Sequence, residues 1–159
     1  MEVNKLVGNI LNDIRVELAD EFDRNFQREA FFSKPWNPKA PHGLKLSGAL
    51  RNSINAKVSG DSVEFSSQLP YAKIHNEGGT ITVTPRMKRF FWRKYYQTGE
   101  VMYRNLALKK TGSTIKMPQR QFIGYSDEFT PQIEQIIRKN IEVCCKDITV
   151  DIQKQFDNS

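Results

Sequence analysis

Apolar side chains recur at intervals of three and four residues near both ends of the chain, and this spacing predicts two long amphipathic helices. The first helix is expected to reach about Arg28, and its apolar stripe comprises Val3, Leu6, Val7, Ile10, Leu11, Ile14, Leu18, Phe22 and Phe26. The second is expected to begin with Thr130 as its N-cap and Pro131 in its first turn. Its stripe comprises Ile133, Ile137, Ile141, Cys144, Ile148, Ile152 and Phe156, with Ile136 beside them.

Between these helices the apolar period shortens to two, which predicts half-buried strands. One hairpin is expected to close at Gly60 and Asp61 and to set its apolar residues opposite each other, namely Ala56, Val58, Val63 and Phe65. Residues 80–84 and 113–117 also alternate and each segment precedes a proline, so we expect these two strands to pair. The predicted class is α+β, a small antiparallel sheet with the N- and C-terminal helices packed on one face.

The segment between the two paired strands, residues 86–112, predicts a helical insertion. Apolar residues spaced for one helix run from Met87 to Tyr95, and a second helical piece is expected around Met102 and Leu106. Because a length of 159 residues suits one domain, we expect a single domain over residues 1–159 that contains this insertion.

Residues 30–43 carry three prolines, a glycine and bulky aromatic side chains, so we expect an irregular loop. Phe31, Phe32 and Trp36 are too apolar to lie idle in solvent. We expect them to clamp the loop onto the core or onto a partner protein, and we treat them as a candidate interaction surface. His42, in the same loop, is expected to be structural or to face solvent.

The next stretch predicts a short helix before the hairpin and a tight turn after it. The helix is expected to begin at the possible cap Ser47 and to show an apolar edge made of Leu46, Leu50 and Ile54. In residues 70–79 a proline blocks strand continuation and two glycines permit positive φ. We therefore expect a turn there, anchored by Tyr71 and Ile74.

The order of these elements resembles the phage virion morphogenesis family, the Mu-like tail completion proteins of tailed phages. The resemblance rests on W-x-P at residues 36–38, L-x-x-S-G-x-L-x-x-S-I at 44–54, P-Y-A-x-I-H-N-x-G-G at 70–79 and R-x-F-I-G at 120–124. The positions with an expected structural role in these motifs are Ser47, Gly48, Leu50, Tyr71, His75, Gly78, Gly79, Arg120, Phe122 and Gly124.

The resemblance implies a structural protein that completes the tail or joins it to the head at the neck, through protein–protein contacts and without turnover. It also implies a homo-oligomer, generally a ring around the tail axis. The implied partners are tail-tube or terminator proteins, or head–tail connector proteins. The implied location is the bacterial cytoplasm during assembly and then the tail or neck of the virion.

Positive charge is concentrated in one segment of the chain. The net charge is +6 and the pI is about 9.4. Of 24 basic and 18 acidic residues, eight basic and one acidic lie in residues 86–110, which leaves 16 basic and 17 acidic residues elsewhere. The insertion therefore carries the whole positive excess, on a scaffold close to neutral.

Three interpretations of this basic, aromatic insertion stay open. It is a solvated surface flap, or an interface with an acidic partner protein, or a nucleic-acid-binding surface in which cations contact phosphates and rings stack on bases. We favour the protein interface, with nucleic-acid binding by residues 86–110 as the alternative function. The residues expected to form the surface are Arg86, Arg89, Arg93, Lys94 and Tyr95.

The chain shows no constellation of residues that is typical of an enzyme. His75 and Glu77 are two residues apart, and neither a H-E-x-x-H zinc motif nor a glycine-rich phosphate loop is present. Cys144 and Cys145 are adjacent on a predicted helix and point about 100° apart, so they are poorly placed to bridge each other or to chelate one metal. We expect no catalytic, cofactor or metal site.

The sequence also lacks the hydrophobic signals of membrane targeting. No apolar run approaches the roughly 20 residues of a membrane span, and the N-terminus lacks a basic region followed by an apolar core. We expect synthesis in the cytosol and no membrane partner.

Overall fold

A computed structural model describes residues 2–37 and 48–157 of the chain. Backbone contacts divide the chain into two compact units. Unit 1 comprises Met1–Ala72 and Gln121–Ser159, and unit 2 comprises Lys73–Arg120. Residues 38–47 lie outside the described residues, and with them His42, Leu46, Ser47 and parts of the motifs at 36–38 and 44–54.

Both long helices form, and both belong to unit 1. Helix α1 spans Glu2–Arg28 and helix α6 spans Thr130–Asp157. The two helices are antiparallel neighbours, because Asn140 Nδ2 on α6 donates to Asp13 Oδ2 on α1 at 2.8 Å, and Ile133 packs on the cluster that contains Phe22.

The start of α6 differs from the prediction. A 3-10 turn, Asp127–Phe129, precedes the helix and is capped by Ser126, whose hydroxyl accepts from the Glu128 backbone N–H at 3.3 Å. Thr130 has helical dihedral angles and follows this turn without a break, so Thr130 as the N-cap is wrong.

Phenylalanine side chains dominate the core of unit 1. One cluster contains Phe22, Phe31, Phe32 and Phe129, and a second contains Phe26, Leu50, Ala72 and Phe122. Helix α1 also packs on the predicted hairpin, whose strands are β3, Ile54–Ser59, and β4, Ser62–Ser67. The hairpin register is confirmed, with Ala56 opposite Phe65 and Val58 opposite Val63.

Two local expectations in unit 1 need correction. The loop after α1 is not wholly irregular, because β1, Ala30–Phe31, pairs with β2, Lys34–Pro35, around a turn in which Phe32 has a φ of 52°. Helix α2, Ala49–Asn52, is shorter than expected because Ile54 already begins β3. Its N-cap is Gly48, and Leu50 is buried as predicted.

Unit 2 contains the predicted strand pair and the helical insertion. Strand β5, Gly79–Thr82, pairs antiparallel with β6, Thr114–Met117, and Ile81 lies opposite Ile115. Between them, helix α4 spans Pro85–Thr98 and helix α5 spans Val101–Leu108, and the two helices contact each other. The expected turn at residues 70–79 is instead a short helix, α3, Ala72–Glu77, which ends before Gly78.

The α+β class is confirmed, although the strands are distributed over more than one sheet. In the described part of the chain, β1–β2, β3–β4 and β5–β6 are three separate antiparallel pairs. The β1–β2 and β3–β4 strands are close in sequence, and β5 and β6 are joined across the insertion. Helix α1 packs on β1, β3 and β4, so helix packing takes the place of further strands there.

The apolar stripe of α6 is covered only in part. Ile133 packs against the first phenylalanine cluster. Farther along the helix, Ile141 is 45% exposed, and Ile148 and Ile152 are exposed to a similar degree. The helix therefore continues beyond the part of the core that covers it, which the even spacing of its isoleucines does not reveal.

Candidate functional site

Helix α4 begins and ends at strong local signals. The Thr84 side chain accepts from the Met87 backbone N–H at 3.2 Å, and Pro85 occupies the first turn, where a missing N–H costs nothing. At the other end Gly99 has a φ of 71° and donates its N–H to the Tyr95 carbonyl at 2.8 Å. These caps fix the register in which the side chains of α4 are presented.

One side of α4 forms an exposed surface of arginines and aromatic rings. Its members are spaced at i, i+3, i+4, i+7 and i+10, the spacing of one helix face. We call it the Arg/aromatic face, and it comprises Arg86, Arg89, Phe90, Arg93 and Tyr96, all of them exposed. Among the described side chains, none of these arginines forms an ion pair with an acidic residue. Their charge therefore faces outward.

Rings on and beside the face hold its shape. The rings of Trp92 and Tyr96 stack with centroids 5.9 Å apart and an interplanar angle of 24°. Lys94 Nζ lies 6.0 Å from the centroid of the Phe90 ring, within reach of a cation–π interaction. Tyr95 is half-buried against Trp92.

The structure separates the five predicted surface residues of the insertion. Arg86, Arg89 and Arg93 lie together on the exposed face, whereas Lys94 and Tyr95 lie on its partly buried flank. Sequence analysis missed Tyr96, which is 78% exposed. Its position three residues after Arg93 was the signal that could have assigned it to this face.

The aromatic residues of the loop after α1 form core and not an exposed surface. Phe31 and Phe32 are buried in the first phenylalanine cluster of unit 1. The Trp36 indole N–H donates to the Gln121 carbonyl at 2.7 Å, and its ring meets that of Phe26 edge-on. Of the two placements expected for these rings, the structure shows the clamp onto the core, so the surface assignment is corrected.

The motif residue Phe122 and the loop residue Phe32 meet at a buried amide that the sequence pattern does not reveal. Asn25 on α1 is fully buried, its Nδ2 donates to the Phe122 carbonyl at 3.2 Å, and its Oδ1 accepts from the Phe32 backbone N–H at 3.0 Å. Phe122 is itself fully buried. A Cβ on Gly124 would lie 2.6 Å from Gln121 Nε2, so the motif glycine allows a close approach. Tyr71, in contrast, is 40% exposed.

The motif residues of unit 2 bring two of its segments together. The Arg120 backbone N–H donates to the His75 carbonyl at 2.8 Å, and Arg120 is buried. Burial lowers the pKa of His75, and the neighbouring positive charge of Arg120 lowers it further. Gly78 and Gly79 both have positive φ, and a Cβ on Gly78 would lie 2.9 Å from the Gln119 backbone nitrogen. These contacts indicate a packing role for the motif.

Comparison with known proteins now supplies the family. Residues 8–142 match the model of the phage virion morphogenesis family. The chain belongs to this family. The match covers most of the sequence and includes all four motifs, and its role is therefore in phage virion morphogenesis. Comparisons with curated proteins and with solved structures find no match.

Among the described residues, no group of three or more His, Cys, Asp or Glu side chains is placed to hold a metal ion. Cys144 and Cys145 are free thiols. No helix in the described ranges has the length and apolar character to cross a membrane.

Proposed function

We propose that this virion morphogenesis protein completes the tail or joins the tail to the head, through protein contacts and without catalysis. The observation that carries the proposal is the Arg/aromatic face, which presents Arg86, Arg89 and Arg93 without an acidic partner in the described chain. Arginine and tyrosine are enriched at the energetic centres of protein interfaces. Membership of the family supports an assembly role for that face.

The partners that fit this surface are proteins with acidic docking sites. Tail-tube, terminator or head–tail connector proteins are the candidates, and several copies of this chain are proposed to form a ring on them. The protein is proposed to assemble in the bacterial cytoplasm and to remain in the tail or neck of the virion. A ring requires a heterologous interface with two different faces on each copy.

Electron microscopy of lysates from the parent phage or prophage tests this role. With the gene disrupted, we expect filled heads separate from finished or overlong tails, and restoration by the wild-type gene supplied in trans. The variant Arg89→Glu/Arg93→Glu should fail to restore joined particles. Lys109→Glu/Lys110→Glu, which reverses the same number of exposed charges outside the face, should restore them. Normal infectious particles from the disrupted phage would remove the assembly role.

A second candidate function, nucleic-acid binding, is favoured by one observation. The exposed Tyr96 ring stacks on the partly buried Trp92 beside the arginines, and an exposed ring beside cations is typical of surfaces that hold single strands. Binding of the pure protein to random-sequence duplex would show it. The logarithm of the affinity should fall with the logarithm of salt at a slope of roughly −0.9 for each phosphate that is neutralised.

A further inference from the structure

Helix α1 carries a second exposed stripe with the same spacing as the Arg/aromatic face and the opposite charge. The stripe is spaced at i, i+3, i+4 and i+7, and we call it the acidic stripe: Asp13, Val16, Glu17 and Asp20. Asp13 and Asp20 are exposed, Val16 is 49% exposed, and the Glu17 side chain is 44% exposed.

The existing partners of the stripe leave its outer surface accessible. One oxygen of Asp13 accepts from Asn140 on α6 at 2.8 Å. Glu17 lies 3.9 Å from Arg24, a long ion pair between two half-exposed side chains. Such exposed pairs contribute little, so a better-placed cation can replace them.

The Arg/aromatic face and the acidic stripe carry their charged and apolar residues at opposite positions, i+3 and i+4, and this makes them complementary. The Arg/aromatic face has a cation at i+3, Arg89, and a ring at i+4, Phe90, whereas the acidic stripe has Val16 at i+3 and Glu17 at i+4. When two helices lie side by side and run in the same direction, the flank at i+3 of one faces the flank at i+4 of the other. Cation then meets carboxylate, and ring meets valine.

We propose that the Arg/aromatic face of α4 docks on the acidic stripe of α1 in a second copy of this chain, with the two helices parallel. Arg86 meets Asp13 and Arg93 meets Asp20, at two points about 10.5 Å apart on each helix at 1.5 Å per residue. Between them Arg89 pairs with Glu17 on one side, and Phe90 packs on Val16 on the other. The inference rests on the proposed ring and names its two faces.

The charges of the chain favour a second copy as the occupant. The positive excess lies in the insertion, while the remainder is close to neutral and carries the acidic stripe, so each copy holds one surface of each sign. Because the faces differ, each copy can bind one neighbour through its Arg/aromatic face and another through its acidic stripe, as a closed ring requires. A single contact between two short helix faces buries little area and is screened by salt, so an isolated pair of copies is held weakly. In a closed ring each copy makes two such contacts, which stabilises the assembly.

Sedimentation of full-length variants at low ionic strength tests the pairing. The basic face is reversed by Arg89→Glu/Arg93→Glu, and the acidic stripe by Glu17→Lys/Asp20→Lys, which leaves the Asp13 hydrogen bond intact. We expect the wild-type chain to self-associate, with an apparent affinity that falls at least tenfold between about 20 and 200 mM salt, because ion pairs are screened. Each reversed variant alone should stay monomeric.

Mixing the two reversed variants is the decisive step. In a 1:1 mixture the intact Arg/aromatic face of one variant meets the intact acidic stripe of the other, and the two reversed surfaces are complementary as well, so the mixture should associate as the wild-type chain does. A chain with both reversals should regain self-association. The matched controls Lys109→Glu/Lys110→Glu and Glu134→Lys/Glu142→Lys change equal charges at exposed positions and should associate like the wild type. Circular dichroism confirms that each variant is folded.

Three results would overturn the pairing. They are a wild-type chain that stays monomeric up to about 1 mM at low salt, a mixture of reversed variants that stays monomeric, and self-association that both reversals leave unchanged. None of these would remove the role in tail completion, which the phage lysates test separately. Duplex binding lost on Arg89→Glu/Arg93→Glu, with self-association unchanged, would assign the face to nucleic acid instead.

Discussion

Asn25 joins three segments of unit 1 through a single side chain. It donates to the Phe122 carbonyl, accepts from the Phe32 backbone N–H, and also accepts from Arg28 Nη2 at 2.9 Å. It is the only amide among the largest fully buried side chains of the described residues. A buried donor or acceptor that loses its partner pays its full desolvation cost.

The variant Asn25→Leu should therefore lower the free energy of unfolding of unit 1 by about 2–3 kcal/mol, since it removes the buried hydrogen bonds of Asn25 with the Phe122 carbonyl and the Phe32 N–H. Urea denaturation followed by Trp36 fluorescence, in a Trp92→Phe background, measures it. Gln27→Leu, an exposed amide on the same helix, should change stability by less than about 0.5 kcal/mol. Equal effects of the two changes would show that the buried hydrogen bonds do not carry the stability.

Gly78 occupies a position where backbone conformation and space both exclude a side chain. Its φ is 73°, and an added Cβ would lie 2.9 Å from the Gln119 nitrogen, which is backbone and cannot swing away. Gly60 offers a matched comparison, because its φ of 61° is similar but nothing lies within 4 Å of an added Cβ.

Gly60→Ala should lower the free energy of unfolding by about 1 kcal/mol for the left-handed conformation alone. Gly78→Ala should lower it by at least twice as much, because the backbone at Gln119, just after β6, must also move. Native-state hydrogen exchange at the amides of β3–β4 and of β5–β6 reports the two sites separately. Asparagine, which tolerates this conformation, should rescue position 60 and leave position 78 destabilised. Equal costs at both positions would mean that the contact with Gln119 is not restrictive.

At the scale of elements, only part of the apolar stripe of α6 contributes to the stability of the core. Ile133→Ala should cost about 2 kcal/mol, because Ile133 packs on the first phenylalanine cluster. Ile141→Ala should cost about 0.5 kcal/mol, because that side chain is already 45% exposed. Urea denaturation in the same Trp92→Phe background compares them. A larger effect at Ile141 than at Ile133 would contradict this division of the helix.

The elements that sequence predicts well are those whose signal is periodic. The β3–β4 register follows from alternation with a period of two, because a shift of one residue would turn Phe65 away from Phe22, whose ring lies 4.8 Å from it. The long helices and the insertion follow from spacings of three and four. The residue at which a helix begins is less predictable. Ser126 and Thr130 are both suitable N-caps for α6, and only the 3-10 turn between them shows that Ser126 is the cap.

The candidate site was predictable in its charge and in three of its arginines, Arg86, Arg89 and Arg93, but not in its full membership. Clustering of basic residues locates the insertion, but helix register decides that Arg93 faces outward while Lys94 and Tyr95 lie on the flank. The placement of Phe31 and Phe32 was not predictable either, because an aromatic pair in a loop has the same sequence signature whether it enters the core or contacts a partner. Asn25 was missed because its acceptor at Phe122 is 97 residues away.

At the scale of the whole molecule, the distribution of charge matters more than its sum. A cluster of like charges creates a stronger local field than the same charges spread apart. Arg89→Glu/Arg93→Glu and Arg138→Glu/Lys146→Glu both lower the net charge from +6 to +2. The first should elute from a sulfonate cation exchanger at clearly lower salt than the second, and elution at the same salt would show that the insertion does not dominate the field.

The packing of α1 against α6 determines the order in which unit 1 folds. Asp13 meets Asn140 across 127 residues, and Phe22 shares a cluster with Phe129, so α1 lacks its contacts with α6 and the turn before it until residues 129–140 have been made. Contacts of such long sequence separation form late, because a long loop must close first. The N-terminal helix emerges from the ribosome without the surface that completes it. Unit 1 therefore closes only after α6 has been made, which defers assembly to chains that already contain α6.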